Sequence, residues 1–94
     1  MDKKSEEFFA RLKTELENTH EWPAEYLFKF IVPTDKSKTD AVQDAFNGLG
    51  AVIRTTKSKN ETYTSVSINV QMPTAQSVID KYIEVSVIEG IISL

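Results

Sequence analysis

The sequence contains no cysteine and only one histidine, His20, among its 94 residues. Without thiols, the chain forms no disulfide, no thiolate nucleophile and no cysteine-based metal site. A lone histidine argues against a histidine-based metal centre or a catalytic triad. Glycines number three, and no glycine-rich phosphate loop is present. We therefore expect no catalytic residue, no metal, no cofactor and no enzymatic activity.

A strong charge and a long apolar segment are also missing. The formal net charge of -3 provides no general attraction to nucleic acid or to an anionic membrane. No apolar run approaches the length of a membrane span, and residues 1–7 are too acidic for a signal peptide. The hydrophobic content of 40% is typical of one globular domain. We expect a single cytoplasmic domain over residues 1–94, with no nucleic-acid or membrane partner.

The clearest pattern in the chain is the alternation that follows the turn at residues 58–62. Apolar residues recur at the even positions Val66, Ile68, Val70 and Met72. Such alternation predicts a strand with one face in the core and the other face polar. The polar row bears no carboxylate, cysteine or histidine, so it indicates architecture rather than chemistry. That row consists of Tyr63, Ser65, Ser67, Asn69 and Gln71.

Two further strands and two helices complete most of the predicted element order. A leading helix covers residues 4–18, because Ser5 caps it and Phe8, Phe9, Leu12 and Leu16 recur at helical spacing. A first strand covers residues 26–32. A helix begins at Ser37, where residues 37–40 resemble a capping box with Ser37 as the cap, and it ends near Gly48. A second strand covers residues 51–57. Asn60 supplies the left-handed conformation of the following turn.

The last helix and strand give the chain its predicted topology. A helix opens at residues 73–74, with Ala75, Val78, Ile79 and Tyr82 on its inner face, and a strand with a bulge at Gly90 covers residues 88–94. After the leading helix (residues 1–20), the order over residues 22–94 is β-α-β-β-α-β. This predicts an α+β, ferredoxin-like fold: an antiparallel sheet in the order 4-1-3-2 with two helices on one face. The predicted core holds Phe28, Phe30, Val42, Phe46, Val66, Ile68, Val70, Val78 and Tyr82.

Several short motifs resemble those of the YbeD-like proteins, a bacterial family of unknown function. Residues 22–29 resemble the family's aromatic-Pro-x-x-aromatic-x-x-Lys opening, and Ser58, Tyr63, Ser65 and Val66 resemble its Ser-x-x-x-x-Tyr-x-Ser-Val segment. Residues 81–82 and 94 also match, so the resemblance spans residues 22–94. It implies a ferredoxin-like fold similar to ACT regulatory domains, without an assigned reaction.

The chain departs from the family pattern at two turns and at its N-terminus. Residues 30–33 follow the strand-one lysine where the family has glycine, and residues 59–61 lack the usual turn glycine. The leading helix is longer than is typical. A family ligand that approaches the backbone at those glycines would therefore meet side chains here.

Basic residues converge at one end of the predicted sheet. The topology gathers Lys36, Lys38, Lys57 and Lys59 there, beside the helix N-terminus at Ser37. Helix N-termini favour anions, so this end predicts a site for a small anionic metabolite or an acidic partner segment. Lys29 and Tyr63 extend the predicted site onto the sheet. The alternative is a set of solvated lysines balanced by nearby acids.

The outer face of the sheet is the second candidate site. Two interpretations stay open: an interaction surface, or a face covered by Phe8, Phe9, Leu12 and Leu16 of the leading helix. Residues 51, 53 and 55 of the second strand are expected to join it. The predicted surface consists of Leu27, Ile31, Ser65, Ser67 and Asn69.

Three classes of function are known for folds of this kind, and the sequence argues against two of them. An acylphosphatase-like enzyme needs an arginine and glycines in the loop after the first strand, and that loop has neither. An RNA-recognition domain needs aromatic residues on the outer face of the first and third strands, where Tyr63 is the only aromatic residue. We expect a non-catalytic, ACT-like binding or regulatory module, which acts on a small anionic ligand, an unidentified protein or a second copy in a homodimer. A purely structural interaction domain without a small ligand is the alternative.

Overall fold

Three helices and four strands follow one another along the part of the chain that the structure describes, residues 3–94. The structure is a computed structural model. It confirms the predicted α+β class and the predicted order of elements. The elements are α1 (Lys3–Thr19), β1 (Ala24–Pro33), α2 (Lys36–Ala45), β2 (Val52–Lys57), β3 (Tyr63–Met72), α3 (Ala75–Val85) and β4 (Ile92–Ser93).

The strands form one antiparallel sheet in the order β2-β3-β1-β4. This is the predicted order read from the opposite edge. The central strands β1 and β3 pair along their whole length, from Ala24 opposite Met72 to Pro33 opposite Tyr63. β1 therefore borders β3 on one side and the short strand β4 on the other.

The core lies between the sheet and the helices, as the alternation in β3 predicts. Val66 and Ile68 in β3 have no exposed surface, whereas Ser65 in the same strand is exposed. All nine predicted core residues are buried. The ring of Phe28 lies 4.8 Å from that of Phe46, which follows α2, and 5.2 Å from that of Tyr82 in α3, so aromatic contacts join β1 to the end of one core helix and to the other helix.

The start of α2 differs from the prediction, because Asp35 rather than Ser37 caps the helix. Asp35 has an extended backbone, and its Oδ1 accepts hydrogen bonds from the Ser37 amide (2.9 Å) and the Ser37 hydroxyl (2.7 Å). An ionised carboxylate is a stronger acceptor than a hydroxyl for the free N–H groups of a helix start. The helix therefore begins one residue before the predicted cap.

Two turns also differ from their predictions. In the turn before β3, the left-handed residue is Glu61 (φ 57°) rather than Asn60, and Ser58 holds the turn through hydrogen bonds to the backbone of Tyr63. Gly90 lies in a turn (φ 82°) rather than in a strand bulge, so β4 is much shorter than predicted. A side chain at Gly90 would come within 2.8 Å of Cγ of Pro33.

Helix α1 packs on the helical side of the molecule and not on the outer face of the sheet. It contacts α3, and its residue Leu16 is buried in the core. The Trp22 indole N–H donates to the Leu16 carbonyl (3.2 Å) and ties the end of α1 to the start of β1. The interpretation in which α1 covers Leu27 and Ile31 is therefore wrong.

Candidate functional site

The outer face of the sheet is arranged in rows that run across the strands. The register places Val52 opposite Asn69 and Asn69 opposite Leu27, which gives one row. The next row contains Arg54, Ser67 and Lys29. The third row contains Thr56, Ser65, Ile31 and Ile92.

The contribution of β2 to this face differs from the prediction. Ile53 lies opposite Ile68 and Thr55 opposite Val66, so both are on the core side, and Ala51 precedes the strand. Because side chains alternate, the outer residues of β2 are Val52, Arg54 and Thr56 instead. Residues 51–53 are all apolar, and hence the pattern did not fix the phase of this strand.

Large apolar side chains on this face are open to solvent. Leu27 is 50% exposed, Val52 56%, Ile92 50% and Tyr63 47%. They flank a polar centre of serine, threonine and asparagine residues. Exposed apolar groups that cluster on one flat surface are typical of interaction sites. The predicted surface residues Leu27, Ile31, Ser65, Ser67 and Asn69 all lie on this face.

The middle row carries the positive charge of the face. Lys29 and Arg54 flank Ser67, so their Cα atoms are about 10 Å apart across two strand spacings. None of the residues that the register places in the three rows is acidic. Glu25 is on the same face, but it lies four residues along β1 from Lys29, at about 13 Å. An otherwise acidic protein thus presents a basic stripe between two apolar rows.

The predicted basic end forms a cleft of about 340 Å³ on the other side of the sheet. Lys36 and Lys57 line it together, with Ser37 in the adjacent first turn of α2. Lys38 and Lys59 do not line it, and Lys59 is exposed in the turn before β3. The full lining is Thr34, Asp35, Lys36, Thr39, Asp40, Thr55, Lys57 and Thr64.

Lys29 and Tyr63 lie on a different face of the sheet from this cleft. Both are on the outer face, whereas Lys57 pairs with the buried Thr64 and shares its side of the sheet. Tyr63 lies opposite Pro33, four residues along β1 from Lys29, or about 13 Å. The seven predicted ligand residues therefore divide between two faces of the molecule.

Carboxylates already neutralise much of the cleft. Lys36 Nζ lies 2.8 Å from Oδ2 of Asp40, which raises the pKa of the lysine. Hydrogen bonds from Ser37 lower the pKa of Asp35, so this carboxylate is ionised at neutral pH. The amides of Lys38 and Thr39 donate to the Asp35 carbonyl. An incoming anion would therefore meet two carboxylates and few free amides.

A second concave region was not predicted from the sequence. It is a groove of about 380 Å³ between α1 and the body of the protein. The tyrosine pair Tyr26 and Tyr82 lines it, and their hydroxyl oxygens are 2.9 Å apart. The only sign of this groove in the sequence was the broad aromatic face of α1. This face includes Phe8, which is not needed for packing on α3. The full lining is Phe8, Phe9, Leu12, Tyr26, Tyr82, Ser86, Ser93 and Leu94.

Comparisons with known proteins do not indicate a function for this chain. No family model, curated protein or solved structure matches this chain. Within residues 3–94, no cluster of three or more His, Cys, Asp or Glu side chains is placed to hold a metal ion. None of the helices in this range is long and apolar enough to span a bilayer.

Proposed function

We propose that this chain is a non-catalytic docking module that binds a partner protein on the outer face of its sheet. The observation that carries the proposal is the open face itself, where Leu27, Val52 and Ile92 are each at least half exposed. The finer architecture that we propose is ferredoxin-like and ACT-like. The element order and the YbeD-like motifs of residues 22–29 and 58–66 support it.

The chemistry of the face points to an acidic partner segment with apolar side chains. Such a segment would pair its carboxylates with Lys29 and Arg54 and cover the apolar rows on either side. Electrostatic complementarity of this kind selects partners and speeds association. A second copy of this chain fits less well, because a two-fold axis near Ser67 would bring the basic stripes of the two copies together.

The small anionic metabolite of the sequence-based hypothesis has less support than the docking function. Its cleft holds Asp35 and Asp40 as well as Lys36 and Lys57. Exposed lysines alone bind anions weakly and lose affinity as salt is added. On the docking face, no acidic residue shares the row of Lys29 and Arg54, and the neighbouring apolar side chains add burial to the salt-dependent attraction.

The test is an amide NMR titration with a short synthetic peptide that alternates leucine and glutamate. We expect saturable shifts confined to the outer residues of β1, β2, β3 and β4, weakened by added salt. The double variant Lys29→Glu with Arg54→Glu should abolish them. Its matched control, Lys4→Glu with Lys59→Glu, changes the net charge equally on exposed residues away from the face and should bind like wild type.

Three results would contradict the proposal. Shifts elsewhere on the molecule would show that the peptide binds at another surface. Equal losses of peptide binding in both double variants would show that binding depends only on net charge. Sedimentation that shows a dimer, dissociated by Leu27→Asp, would identify a second copy as the occupant of the face.

A further inference from the structure

The groove between α1 and the body of the protein has the composition of a small-molecule site. Aromatic and aliphatic side chains dominate its lining, with Phe8, Phe9 and Leu12 on one wall and Tyr26 and Tyr82 opposite. Its volume of about 380 Å³ lies in the range of ligand pockets in proteins. Phe8 stands at the rim and is 55% exposed, so an occupant would remove apolar surface of this ring from water.

The tyrosine pair provides the polar recognition in this groove. In the hydrogen bond between Tyr26 and Tyr82, one phenol donates and the other accepts. The accepting phenol keeps its own proton to donate, and both oxygens keep lone pairs. One pair of hydroxyls therefore offers a donor and an acceptor side by side on an apolar wall. Tyr82 is 8% exposed, so this hydroxyl is held in place by packing.

We propose that this groove binds a small neutral aromatic alcohol, with the ring against Phe8, Phe9 and Leu12 and the hydroxyl at the tyrosine pair. A hydroxyl group matches the pair because it donates and accepts at one atom. Edge-to-face contacts suit an aromatic ring among aromatic side chains. The site is on the opposite side of the sheet from the docking face and does not depend on it.

The occupant should be uncharged, because none of the described residues that line the groove has a charged side chain. A carboxylate placed there would lose water without gaining a cation, which is costly in apolar surroundings. Burial and the hydrogen bond with Tyr26 also raise the pKa of Tyr82, so the phenol stays neutral and able to hydrogen-bond. These properties separate this groove from the lysine-lined cleft at the start of α2.

The experiment compares p-cresol, toluene and p-toluate at neutral pH by amide NMR titration of the full chain. The three probes share one ring and one methyl group and differ in their polar group. We expect saturable shifts from p-cresol confined to α1, α3 and the residues around Tyr26. Toluene should bind about fivefold more weakly, because it lacks one neutral hydrogen bond, and p-toluate should bind more weakly than toluene.

Variants then test whether the preference for p-cresol over toluene comes from the hydroxyls of Tyr26 and Tyr82. The double variant Tyr26→Phe with Tyr82→Phe removes both partners at once and leaves no buried hydroxyl unpaired, so the fold should persist. In it, p-cresol should bind no better than toluene. Tyr63→Phe, on the outer face, is the matched control and should leave all three affinities unchanged. Phe8→Ala should weaken p-cresol and toluene alike.

The inference would be overturned by equal binding of p-cresol and toluene to wild type. It would also be overturned by shifts that lie outside the groove, or by the absence of shifts up to the solubility of p-cresol. None of these outcomes bears on the docking face, because the peptide titration reports on the other side of the sheet.

Discussion

The phenol of Tyr82 should make the protein less stable at alkaline pH. Burial and the hydrogen bond with Tyr26 raise the pKa of Tyr82 above its ordinary value of 10.0. Above about pH 10, the unfolded chain therefore loses this proton while the folded chain retains it. The unfolded state then binds fewer protons, so the free energy of unfolding falls as the pH rises.

The magnitude follows from linkage. One proton corresponds to a slope of at most about 1.4 kcal/mol per pH unit, or ~2 kcal/mol lost between neutral pH and about pH 11.5. Water around the open groove screens part of this effect, so the figure is an upper limit. At neutral pH, Tyr82→Phe should cost about 1 kcal/mol through its lost hydrogen bond. Since phenylalanine does not ionise, the variant should lose less stability at high pH and approach or overtake wild type.

The assay is urea unfolding followed by the fluorescence of Trp22, the only tryptophan, at neutral pH and at intervals up to about pH 11.5. Lysine ionisation is common to both proteins and cancels in their difference. Tyr63→Phe, which alters an exposed ring, should track wild type throughout. A constant difference between wild type and Tyr82→Phe across the whole pH range would refute the reasoning.

Three further predictions concern the turns, the caps and the lysine-lined cleft. Gly90→Ala should lower the free energy of unfolding by about 1–3 kcal/mol, because alanine is strained at φ 82° and its Cβ would contact Pro33; urea unfolding measures it, and a neutral effect would contradict the turn. Thr74→Ala should cost about 1 kcal/mol, because Thr74 Oγ1 accepts from the Ser77 amide (3.0 Å) in a capping box; thermal unfolding with Gln76→Ala as the control tests it. Inorganic phosphate should give no saturable amide shifts in the first turn of α2, because the Asp35 carboxylate already occupies that helix start; saturable shifts there would restore the anionic-ligand hypothesis.

The core and the central strands could be predicted because two independent patterns agreed. In β3, apolar residues alternate with serine and asparagine over the whole strand, so only one register buries Val66 and Ile68. In α3, Val78 and Tyr82 recur at helical spacing and are buried as predicted. Such patterns are strong because a shift by one residue would exchange a whole apolar row for a polar one.

The edge strands could not be predicted as well, since their patterns are degenerate. Val52 and Ile53 are both apolar, so alternation fits either phase of β2. The run that precedes and includes β4 is also rich in isoleucine, but β4 begins only after the turn at Gly90, which has no room for a side chain beside Pro33. This close approach joins residues far apart in the chain, which local periodicity does not reveal.

The charge of the lysine-lined cleft was likewise only partly predictable from the sequence. Lys36 and Lys57 do meet at one end of the fold, as the topology predicts. Their surroundings were not predictable from the number of lysines, because Asp35 and Ser37 are both good caps and only one of them starts the helix. The choice of Asp35 places a carboxylate where the hypothesis needed free amides.

Strand β1 belongs to both proposed sites, and its alternation keeps their side chains apart. Leu27 and Lys29 face the docking surface, whereas Tyr26 faces the groove with Tyr82. Substitutions on one side of a strand need not disturb the other side, so the two sites can be tested separately. Coupling between them would require p-cresol to change the affinity for the acidic peptide, and the peptide would then change the affinity for p-cresol by the same factor. If both affinities are unchanged, β1 transmits no coupling, and ligands bind to the two surfaces independently.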